Sequence, residues 1–563
     1  MNNSDQQGNG RPAVLYSGLP ALAKDVVRII VSYSACCPFG ISHLEDWAER
    51  EGLSGAEAAA GLAVLRRRGA VGFFHEPGTA PYHMLPKERL AEWHQVLFPR
   101  LDEEPISPLD REEPILYRPL AAVHAMLQFL SYVSWEDIRL TQAGRFPLRA
   151  GKSLEKRLEG FSPYGKDGRT DAGPGTGERL MEWAQELGLL KVVGGQLRLV
   201  PPALKEWLGK RPCVRDEELR GIWLGKQPIR SPLEAHLAAA AENGSAGCSF
   251  SVDDLVKKLK AWGIPIDQED PTLSSFESQW LKPMAGMGWM EQAERPDGTI
   301  CFRRLAAEAA EINRLEELEE EEKEAVRWYV QPDLEVIVPP GIPHELLWEL
   351  ELMALRVGSD DCLLYRLTRE TWLRALAGGR SAERLIRFLD GHAVYGLPGN
   401  VELILREWGE EQGISSGTGG ASPLYLELGR EGASNPCSLP EPAVSRGEKG
   451  RRTRPSIRKA SVQAVAPWAP EWEEERHTVP AMWLKECRPY HFSTMKEMIR
   501  QAAEWKTFLY LKDAGTARKV LPKKLHEEKG RWRLEALEGN RMVVIPQKET
   551  LQLQILLPET GDS

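Results

Sequence analysis

The sequence predicts a multidomain α+β protein: tandem winged-helix-like units, then a small α/β domain, then a small β-barrel. Three observations lead to this prediction. The chain has 563 residues, 42% of them hydrophobic, which is too many for a single core. A helix, helix, hairpin order recurs three times before residue 305. After it, short strand patterns alternate with helical patterns.

Composition and patterning divide the chain into segments. A Glu-rich helical stretch follows the third hairpin, and a later stretch rich in Gly, Ser and Pro has the composition of a linker. In chain order we predict a disordered N-terminus at 1–12, winged-helix-like units at 13–110, 111–225 and 226–305, a charged connecting helix at 306–328, a small α/β domain at 329–413, a flexible basic linker at 414–478 and a small β-barrel at 479–563.

Capping boxes and turn signals define the three repeated units. Ser42-x-x-Glu45 and Ser54-x-x-Glu57 predict two helix starts in the first unit, and a hairpin pattern follows them. In the second unit, Gly194-Gly195 predicts a two-residue hairpin turn. In the third, Ser251-x-x-Asp254 predicts a helix start and Asp297-Gly298 a hairpin turn. Helix, helix, hairpin is the order of a winged helix.

The small α/β domain and the C-terminal segment are built from shorter elements. Leu334–Val338 predicts a strand that Pro339 ends. His344–Leu355 predicts a helix, and Ser381 caps another helix that runs through His392. In the C-terminal segment, a helix precedes several short strand patterns, which is typical of a small barrel.

Composition excludes several classes of protein. The formal net charge of -10 argues against an entirely basic surface, although a local patch can still bind nucleic acid. No apolar run approaches a bilayer span, and the N-terminus lacks the order of a secretory signal. The cysteines form no CxxC pair, which disfavours a zinc site. We therefore expect a cytoplasmic protein with no membrane association, no metal and no cofactor.

Between residues 330 and 413, motifs stand at strand starts, strand ends and helix starts. They are Gln331, Pro332, Asp333, Arg366, Thr368, Gly379, Arg380, Ser381, Pro398 and Trp408. In their order these motifs resemble the N-terminal domain of XPB/Ssl2-type DNA helicases. The resemblance implies a domain that sits beside ATPase lobes and helps to engage DNA. Arg139-Leu140-Thr141 resembles a segment that precedes this domain in bacterial relatives.

In the C-terminal segment, a helix precedes Phe508-Leu509-Tyr510-Leu511, and Trp532-Arg533-Leu534 follows further on. This order resembles a WYL domain, an SH3-like barrel of bacterial regulators that respond to DNA damage or nucleotides, with Trp532-Arg533-Leu534 at the triplet that names the family. Arg replaces the Tyr, which puts the family's ligand pocket in doubt. The resemblance implies a module that senses a ligand or a partner.

The sequence lacks a recognisable motor. The only Gly-Lys-Ser is Gly151-Lys152-Ser153, and Phe146 stands where a P-loop needs its first glycine. No DEAD or DEAH motif occurs. We therefore expect the chain not to be an enzyme. We also expect the tryptophans at helical spacing to be core residues, among them Trp183, Trp207, Trp280 and Trp348.

Three basic clusters are candidates for nucleic-acid binding, because Lys and Arg neutralise phosphates. The first lies at the end of the predicted recognition helix of the first unit, where arginines also favour the helix dipole. The second precedes and enters a helix of the second unit. The third lies in the predicted linker and could equally be solvated linker with no binding role. They comprise Arg66, Arg67 and Arg68; Arg139, Arg145, Arg149, Lys152 and Arg157; and Arg451, Arg452 and Arg454.

These features favour a non-enzymatic DNA-associated accessory or regulatory protein that engages duplex or forked DNA with low specificity, in DNA repair or in transcription regulation. Two alternatives stay open. The chain could be a protein–protein adaptor without DNA affinity, which suits its net charge of -10. It could also be the regulatory part of a helicase whose ATPase is a separate partner chain.

Overall fold

A computed structural model gives a mixed α+β chain of helices and small antiparallel sheets. The structure describes residues 12–75, 78–98, 113–116, 121–158, 161, 175–243, 249–267, 270–304, 327–339, 342–359, 362–415, 470–513, 515–528 and 531–558. The predicted N-terminal tail, most of the connecting helix and most of the linker lie outside these residues. Among the described helices, none has both the length and the apolarity needed to cross a bilayer.

The first unit is helical, followed by a hairpin. Its elements are α1 (Pro12–Ser17), α2 (Ala21–Ser34), α3 (Ile41–Arg50), α4 (Gly55–Arg67), β1 (Gly72–Phe74), β2 (Tyr82–Met84), a 3-10 turn (Lys87–Arg89) and α5 (Leu90–Leu97). The capping box at Ser54 and Glu57 is confirmed, since each side chain bonds the other's backbone N–H. The capping box predicted at Ser42 and Glu45 is wrong. Helix α3 starts at Ile41, so Ser42 lies inside the helix and Gly40 is the N-cap residue.

The second and third units repeat this order. Their elements are β3 (Glu113–Leu116), α6 (Ala121–Trp135), α7 (Leu148–Arg157), α8 (Thr176–Glu186), β4 (Leu190–Val193), β5 (Gln196–Leu199), α9 (Pro201–Leu208), α10 (Pro212–Lys226), α11 (Pro232–Glu242), β6 (Ser249–Phe250), α12 (Val252–Ala261), α13 (Thr272–Phe276), a π turn (Glu277–Leu281), α14 (Lys282–Gly286), β7 (Met290–Glu294) and β8 (Ile300–Arg304). The predicted Gly194-Gly195 turn is confirmed, with φ angles of 57° and 81°.

In each unit, a segment between two helices that precede the hairpin pairs with the second hairpin strand; it lies between α2 and α3, between α6 and α7, and between α11 and α12. Phe39 pairs with His83, Arg139 with Gln196, and β6 with β8. Strand β3 departs from the predicted division. It pairs with β7, so the sheet order is β3-β7-β8-β6. The start of the predicted second unit therefore contributes a strand to the third.

The small α/β domain has a four-stranded antiparallel sheet and four helices. Its elements are β9 (Tyr329–Val330), β10 (Glu335–Val338), α15 (His344–Glu351), β11 (Leu355–Ser359), β12 (Leu363–Arg366), α16 (Arg369–Ala377), α17 (Ala382–Gly391) and α18 (Gly399–Ser415). The sheet order is β11-β12-β10-β9. The predicted helix through Leu355 is too long: α15 ends at Glu351, and Leu355 opens a strand that sequence patterning missed.

The C-terminal domain is a six-stranded sheet with helices. Its elements are α19 (Glu471–Glu475), α20 (Ala481–Lys485), β13 (Arg488–Pro489), α21 (Phe492–Glu504), β14 (Phe508–Asp513), β15 (Thr516–Glu528), β16 (Arg531–Glu538), β17 (Arg541–Pro546) and β18 (Gln552–Leu556). The strand order is β13-β18-β14-β15-β16-β17. Among the described residues no pairing joins β13 to β17, so the predicted barrel is not closed.

Two hydrophobic cores hold these domains. One is continuous from the three repeated units into the α/β domain. The other belongs to the C-terminal domain and takes in Ala56 and Ala60 from α4. The prediction that tryptophans at helical spacing are core residues is confirmed, since Trp183, Trp207, Trp280 and Trp348 are all buried.

A carboxyl group lies in the seam between the second and third units. Asp216 on α10 accepts a hydrogen bond from the indole nitrogen of Trp289, at 2.9 Å. Burial raises the pKa of Asp216 to about 7. The unfolded chain ionises this carboxyl at lower pH than the folded chain does, so Asp216 lowers stability progressively as pH rises from 3.8 toward 7.

We expect Asp216→Asn to stabilise the protein above pH 7, by about 1–3 kcal/mol. The amide oxygen can still accept from Trp289 and carries no charge to desolvate. Denaturant midpoints of both proteins at mildly alkaline and mildly acidic pH test this. The gain should shrink toward acid, and exposed Asp46→Asn serves as the control. An equal midpoint in alkali would contradict the assignment.

Candidate nucleic-acid interface

The first predicted cluster lies at the end of α4. Arg66 is half-buried, and its guanidinium carbon lies 4.4 Å from the ring centroid of Phe73. Burial lowers the pKa of the Arg66 guanidinium. Arg67 and Arg68 are exposed. Arg66 therefore packs on the hairpin, and its two neighbours are left to face solvent.

The helix that carries this cluster is not open to a ligand along its length. From Gly55 to Leu65 every residue of α4 is buried except Glu57. Gly61 allows α2 to pack closely, because an added Cβ there would lie 2.4 Å from a methyl of Val26. The opposite contact is with the C-terminal domain, through Ala56 and Ala60. Sequence patterning predicted a helix presented to a DNA groove, but in this arrangement that helix is enclosed.

The second predicted cluster is mostly exposed. The side chain of Arg139 is 76% exposed and lies 3.9 Å from Asp137. Arg145, Arg149 and Lys152 are also exposed. Lys156, which the sequence analysis did not select, joins them on α7. Its position one helical turn after Lys152, on the same side of α7, is the signal that could have identified it.

Local hydrogen bonds fix the loop that carries the first two arginines of this cluster. Thr141 and Arg145 close a tight turn: the Thr141 N–H donates to the Arg145 carbonyl, and the Arg145 N–H donates to the Thr141 hydroxyl, both at 3.0 Å. Gly144 supplies the positive φ of 73° that the turn needs. The Leu140 N–H donates to Gly195 at the tip of the β4–β5 hairpin. The loop is thus held on the hairpin of the second unit and leads directly into α7.

From Glu136 to Lys156 the chain carries five exposed cations and three exposed carboxylates, those of Glu136, Asp137 and Glu155. We call Arg139, Arg145, Arg149, Lys152 and Lys156 the α7 basic surface. Exposed guanidinium and ammonium groups on a loop and a helix start suit contacts to phosphates. Gly151-Lys152-Ser153 lies within α7, so these residues are helical and form no loop.

Arg157 is the exception in its cluster. Sequence reasoning grouped it with the exposed cations, but its side chain is only 13% exposed and pairs with fully buried Glu351 at 3.2 Å. It also donates to the Ser131 hydroxyl at 2.6 Å. The second oxygen of Glu351 accepts from the Tyr365 hydroxyl at 2.9 Å. Burial beside this carboxylate raises the pKa of Tyr365 well above its ordinary value. Arg157 therefore joins the second unit to the α/β domain.

A cavity of about 220 Å³ lies at this junction. Trp135 of the second unit and Thr368, Thr371 and Arg374 of the α/β domain line it beside the Arg157–Glu351 pair. The Arg374 guanidinium carbon lies 5.6 Å from the Trp135 ring centroid. Both charged groups of the buried pair already have protein partners, so the cavity is part of the domain junction.

The motif positions of the α/β domain shape its turns and helix starts. The Gln331 N–H donates to the Glu335 carbonyl across a turn that contains Pro332 and Asp333. Thr368 and Ser381 accept hydrogen bonds at the starts of α16 and α17. Arg366 pairs with Glu335 at 2.5 Å, and Arg380 with Glu349 at 3.2 Å.

Other motif positions also have structural surroundings. Gly379 has a φ of 87° that favours glycine. At the start of α18, the carbonyl of Pro398 accepts a hydrogen bond from the Val401 N–H. Trp408 is half-buried and packs against the large core. In the C-terminal domain, Trp532 is buried. These residues stabilise the domains and do not by themselves form a binding site.

An exposed aromatic pair was missed by the sequence analysis. Tyr395 is 89% exposed and Tyr329 43% exposed. Their ring centroids lie 6.0 Å apart. The signal in the sequence is a large aromatic between two helices, just before Gly396. Bases of unpaired nucleic acid stack on rings of this kind.

Two further predictions end at the limits of the structure. Arg451, Arg452 and Arg454 lie outside the described residues. Within the described ranges, no group of three or more His, Cys, Asp or Glu side chains could hold a metal ion.

A family model described as "Helicase conserved C-terminal domain" matches residues 328–431. This range covers the described α/β domain with its buried link to the second unit. The match ties the chain to helicase-related families over that range, out of 563 residues. None of the curated proteins compared with the chain matches it.

Proposed function

We propose that this chain is a non-catalytic, helicase-related accessory protein that engages the phosphates of duplex or forked DNA through its α7 basic surface. The three repeated units are winged-helix-like in this proposal. The α/β domain corresponds to the N-terminal domain of XPB/Ssl2-type helicases, and the C-terminal sheet to a WYL-like module. The match to a helicase-related family and the charge of one exposed surface support it.

The observation that carries the proposal is the local charge of the second unit. Five exposed cations against three exposed carboxylates, Glu136, Asp137 and Glu155, leave this stretch with a positive balance, although the whole chain has a net charge of -10. Association with DNA depends on the local field and not on the total charge. Since each phosphate contact releases counterions, such a surface gives binding that weakens steeply with salt.

The link through Arg157 and Glu351 gives the proposal its geometry. Glu351 is fully buried and the Arg157 side chain is only 13% exposed, and the pair holds α7 on the domain that matches the helicase family. DNA held on the α7 basic surface would therefore be held in a fixed relation to that domain. This is how an accessory protein could present DNA to a motor that is a separate chain.

Charge neutralisation tests the proposal. We expect R145Q/R149Q/K152Q to weaken binding to a labelled duplex by at least tenfold at about 0.1 M salt. We also expect it to reduce the slope of log K against log salt by about 2–3, since about 0.9 is lost for each phosphate contact. Fluorescence anisotropy on duplex, forked and single-stranded oligonucleotides gives both quantities.

A matched control removes the same charge elsewhere. R531Q/R533Q/R541Q neutralises three exposed arginines on β16 and β17 of the C-terminal sheet. It should bind duplex as the unmodified protein does. Equal losses in the two triple variants would mean that net charge alone sets affinity, and would contradict an interface on the second unit.

One observation favours the adaptor alternative. The second unit also exposes apolar side chains: Leu148 is 81% exposed, Val192 46% and Val193 52%. Exposed apolar groups of this kind are typical of surfaces that bind other proteins. If R145Q/R149Q/K152Q leaves DNA binding unchanged while L148S/V193S releases a co-purified protein, the adaptor reading is the correct one. ATPase activity in that partner would identify a separate motor.

A further inference from the structure

One face of the C-terminal sheet interleaves aromatic rings and lysines. Phe508, Tyr510 and Lys512 alternate along β14 and therefore share a face. Lys519 on β15 lies directly opposite Tyr510. Its ammonium nitrogen is 3.9 Å from the ring centroid of Phe508. Rings and cations on a sheet are suited to the bases and phosphates of nucleic acid.

Two more lysines extend this face. Lys506 follows α21 with a φ of 51°, a conformation that costs a lysine energy. The backbone around it closes the helix end, because the Lys506 N–H donates to Ala503 and the Thr507 N–H to Ala502. Lys523 lies further along β15. We call Lys506, Lys519 and Lys523 the lysine face.

The lysine face is covered by the first unit of the same chain. Lys506 pairs with Glu45, Lys523 pairs with Glu49, and Lys519 lies 3.4 Å from Glu57. Glu45 and Glu49 are one turn apart on α3, and Glu57 is in the first turn of α4. Three carboxylates therefore occupy three ammonium groups.

Backbone and packing contacts accompany these ion pairs. The Ala56 N–H, at the start of α4, donates to the Lys506 carbonyl at 3.2 Å. The contact is close at Gly55, where an added Cβ would lie 2.8 Å from the Cβ of Lys506. Only small side chains of α4, Ala56 and Ala60, reach the C-terminal core. The described contact thus combines a small apolar patch with a row of charges.

These charges are partly exposed and sensitive to salt. The lysine side chains are 54%, 50% and 35% exposed. Exposed pairs of this kind each contribute little and weaken as salt is added. A row of carboxylates is also the protein group most similar to a row of phosphates. A polyanion can therefore compete for the same lysines.

We propose that the lysine face binds the phosphate backbone of nucleic acid, and that Glu45, Glu49 and Glu57 are an internal competitor that occupies it when the two domains are closed. Nucleic-acid binding at this face and closure exclude each other. Because only the open fraction can bind, closure lowers the apparent affinity in proportion to that fraction. This second site is separate from the α7 basic surface.

The exposed faces after opening would have opposite charge. The first unit would present Glu45, Glu49 and Glu57, which repel phosphates. The C-terminal sheet would present the lysine face with the half-buried ring of Tyr510, whereas Phe508 is buried and lies against the Lys519 ammonium group. The Tyr510 ring favours nucleic acid over an acidic polypeptide as the partner, because bases stack on such rings.

Neutralising the competitor tests the proposal. E45Q/E49Q removes two of the three pairs, and D46N/E92Q is the control, because it changes net charge equally at two exposed positions. We expect E45Q/E49Q to bind a labelled single-stranded oligonucleotide roughly 3–10-fold more tightly than the unmodified chain or the control. Adding K519Q/K523Q should abolish that gain.

Hydrogen exchange at Ala56 gives an independent readout. Its amide is bonded to Lys506 only when the domains are closed. We expect the oligonucleotide to speed exchange in the peptide that contains Ala56 in the unmodified protein. Oligonucleotide binding without this change would overturn the mutual exclusion.

Three other results would also overturn the proposal. One is no gain in E45Q/E49Q, and another is an equal gain in D46N/E92Q. The third is a gain for polyglutamate but not for the oligonucleotide, which would make an acidic polypeptide the partner. Adding E45Q/E49Q to the R145Q/R149Q/K152Q variant separates this site from the α7 basic surface. The gain in oligonucleotide affinity should persist in that variant, because its lysine face is intact.

Discussion

Replacing Glu351 by glutamine should destabilise the junction between the second unit and the α/β domain by about 3–5 kcal/mol. Glu351 is fully buried, and its carboxylate is the countercharge of Arg157 at 3.2 Å. Glutamine keeps the size of the side chain and an acceptor for the Tyr365 hydroxyl. It leaves the Arg157 charge, 13% exposed, without a carboxylate.

Denaturant unfolding measures the loss of stability in Glu351→Gln, and hydrogen exchange shows which elements lose protection. Exchange should rise in α6, α7, α15 and β12, which meet at the pair. Glu402→Gln is the control, because its pair with Arg406 is exposed on α18. Exposed helical pairs contribute about 0.3–0.5 kcal/mol. If both variants unfold alike, the buried pair does not hold the junction.

Acid should destabilise the folded chain through its buried histidines. Burial lowers the pKa of His83 and of His236 to about 4 and that of His124 to about 3. It also lowers the pKa of His94 and His344 well below 6.5. The unfolded chain takes up these protons below pH 6.5, while the folded chain does not. Stability therefore falls as pH falls below that value.

For each histidine that stays neutral in the folded chain, the free energy of unfolding falls by about 1.4 kcal/mol for each unit by which the pH falls. The loss runs from pH 6.5 down to the pKa in the folded state, near 4 for His236. The carboxyl of Asp216 has the opposite effect: because its pKa is raised in the folded chain, it adds stability as pH falls over this range. The histidines outnumber it among the described groups, so the net effect is destabilisation in acid.

The contact between His94 and His236 shows the cause. The His94 Nε2 lies 2.9 Å from the His236 Nδ1, and the His236 Nε2 lies 3.3 Å from the Ser32 carbonyl. With both rings neutral, His236 donates to Ser32 and accepts from His94. A proton on Nδ1 of His236 would face the Nε2–H of His94, or would require His94 to move its own proton to Nδ1, which is buried without a hydrogen-bond partner among the described residues. This contact joins α5 of the first unit to α11 of the third.

Denaturant midpoints across the acid range test the effect. His236→Gln can still donate to Ser32 and accept from His94, so it should reduce the slope of stability against pH by about one proton. His75→Gln, at an exposed position, should leave the slope unchanged. A midpoint independent of pH below 6.5 in the unmodified chain would contradict the buried neutral assignment.

Local features of the fold could be predicted from the sequence because their causes are local. The capping boxes at Ser54 and Ser251 depend on side chains three residues apart. The turns at Gly194-Gly195 and Gly298 depend on positive φ angles that glycine favours. Long-range pairings could not be predicted. Nothing near β3 in the sequence indicates its partner β7 in the third unit.

The candidate site follows the same division. The exposed arginines and lysines of α7 could be selected because a basic run on a helix start is a local pattern. Arg157 could not be separated from them, since its partner Glu351 lies in another domain. The burial of Gly55, Ala56 and Ala60 on α4 depends on Lys506 and the C-terminal core, far along the chain. Sequence patterning therefore places charges on elements, but tertiary contacts decide which of them face solvent.

The most direct test of the account is the salt dependence of duplex binding by the unmodified chain. We predict micromolar or tighter binding at about 0.1 M salt, with a slope of log K against log salt of about -3 or steeper. That slope should fall in R145Q/R149Q/K152Q and not in R531Q/R533Q/R541Q. No binding of duplex, forked or single-stranded DNA even at low salt would contradict a DNA-engaging protein and leave the adaptor reading in its place.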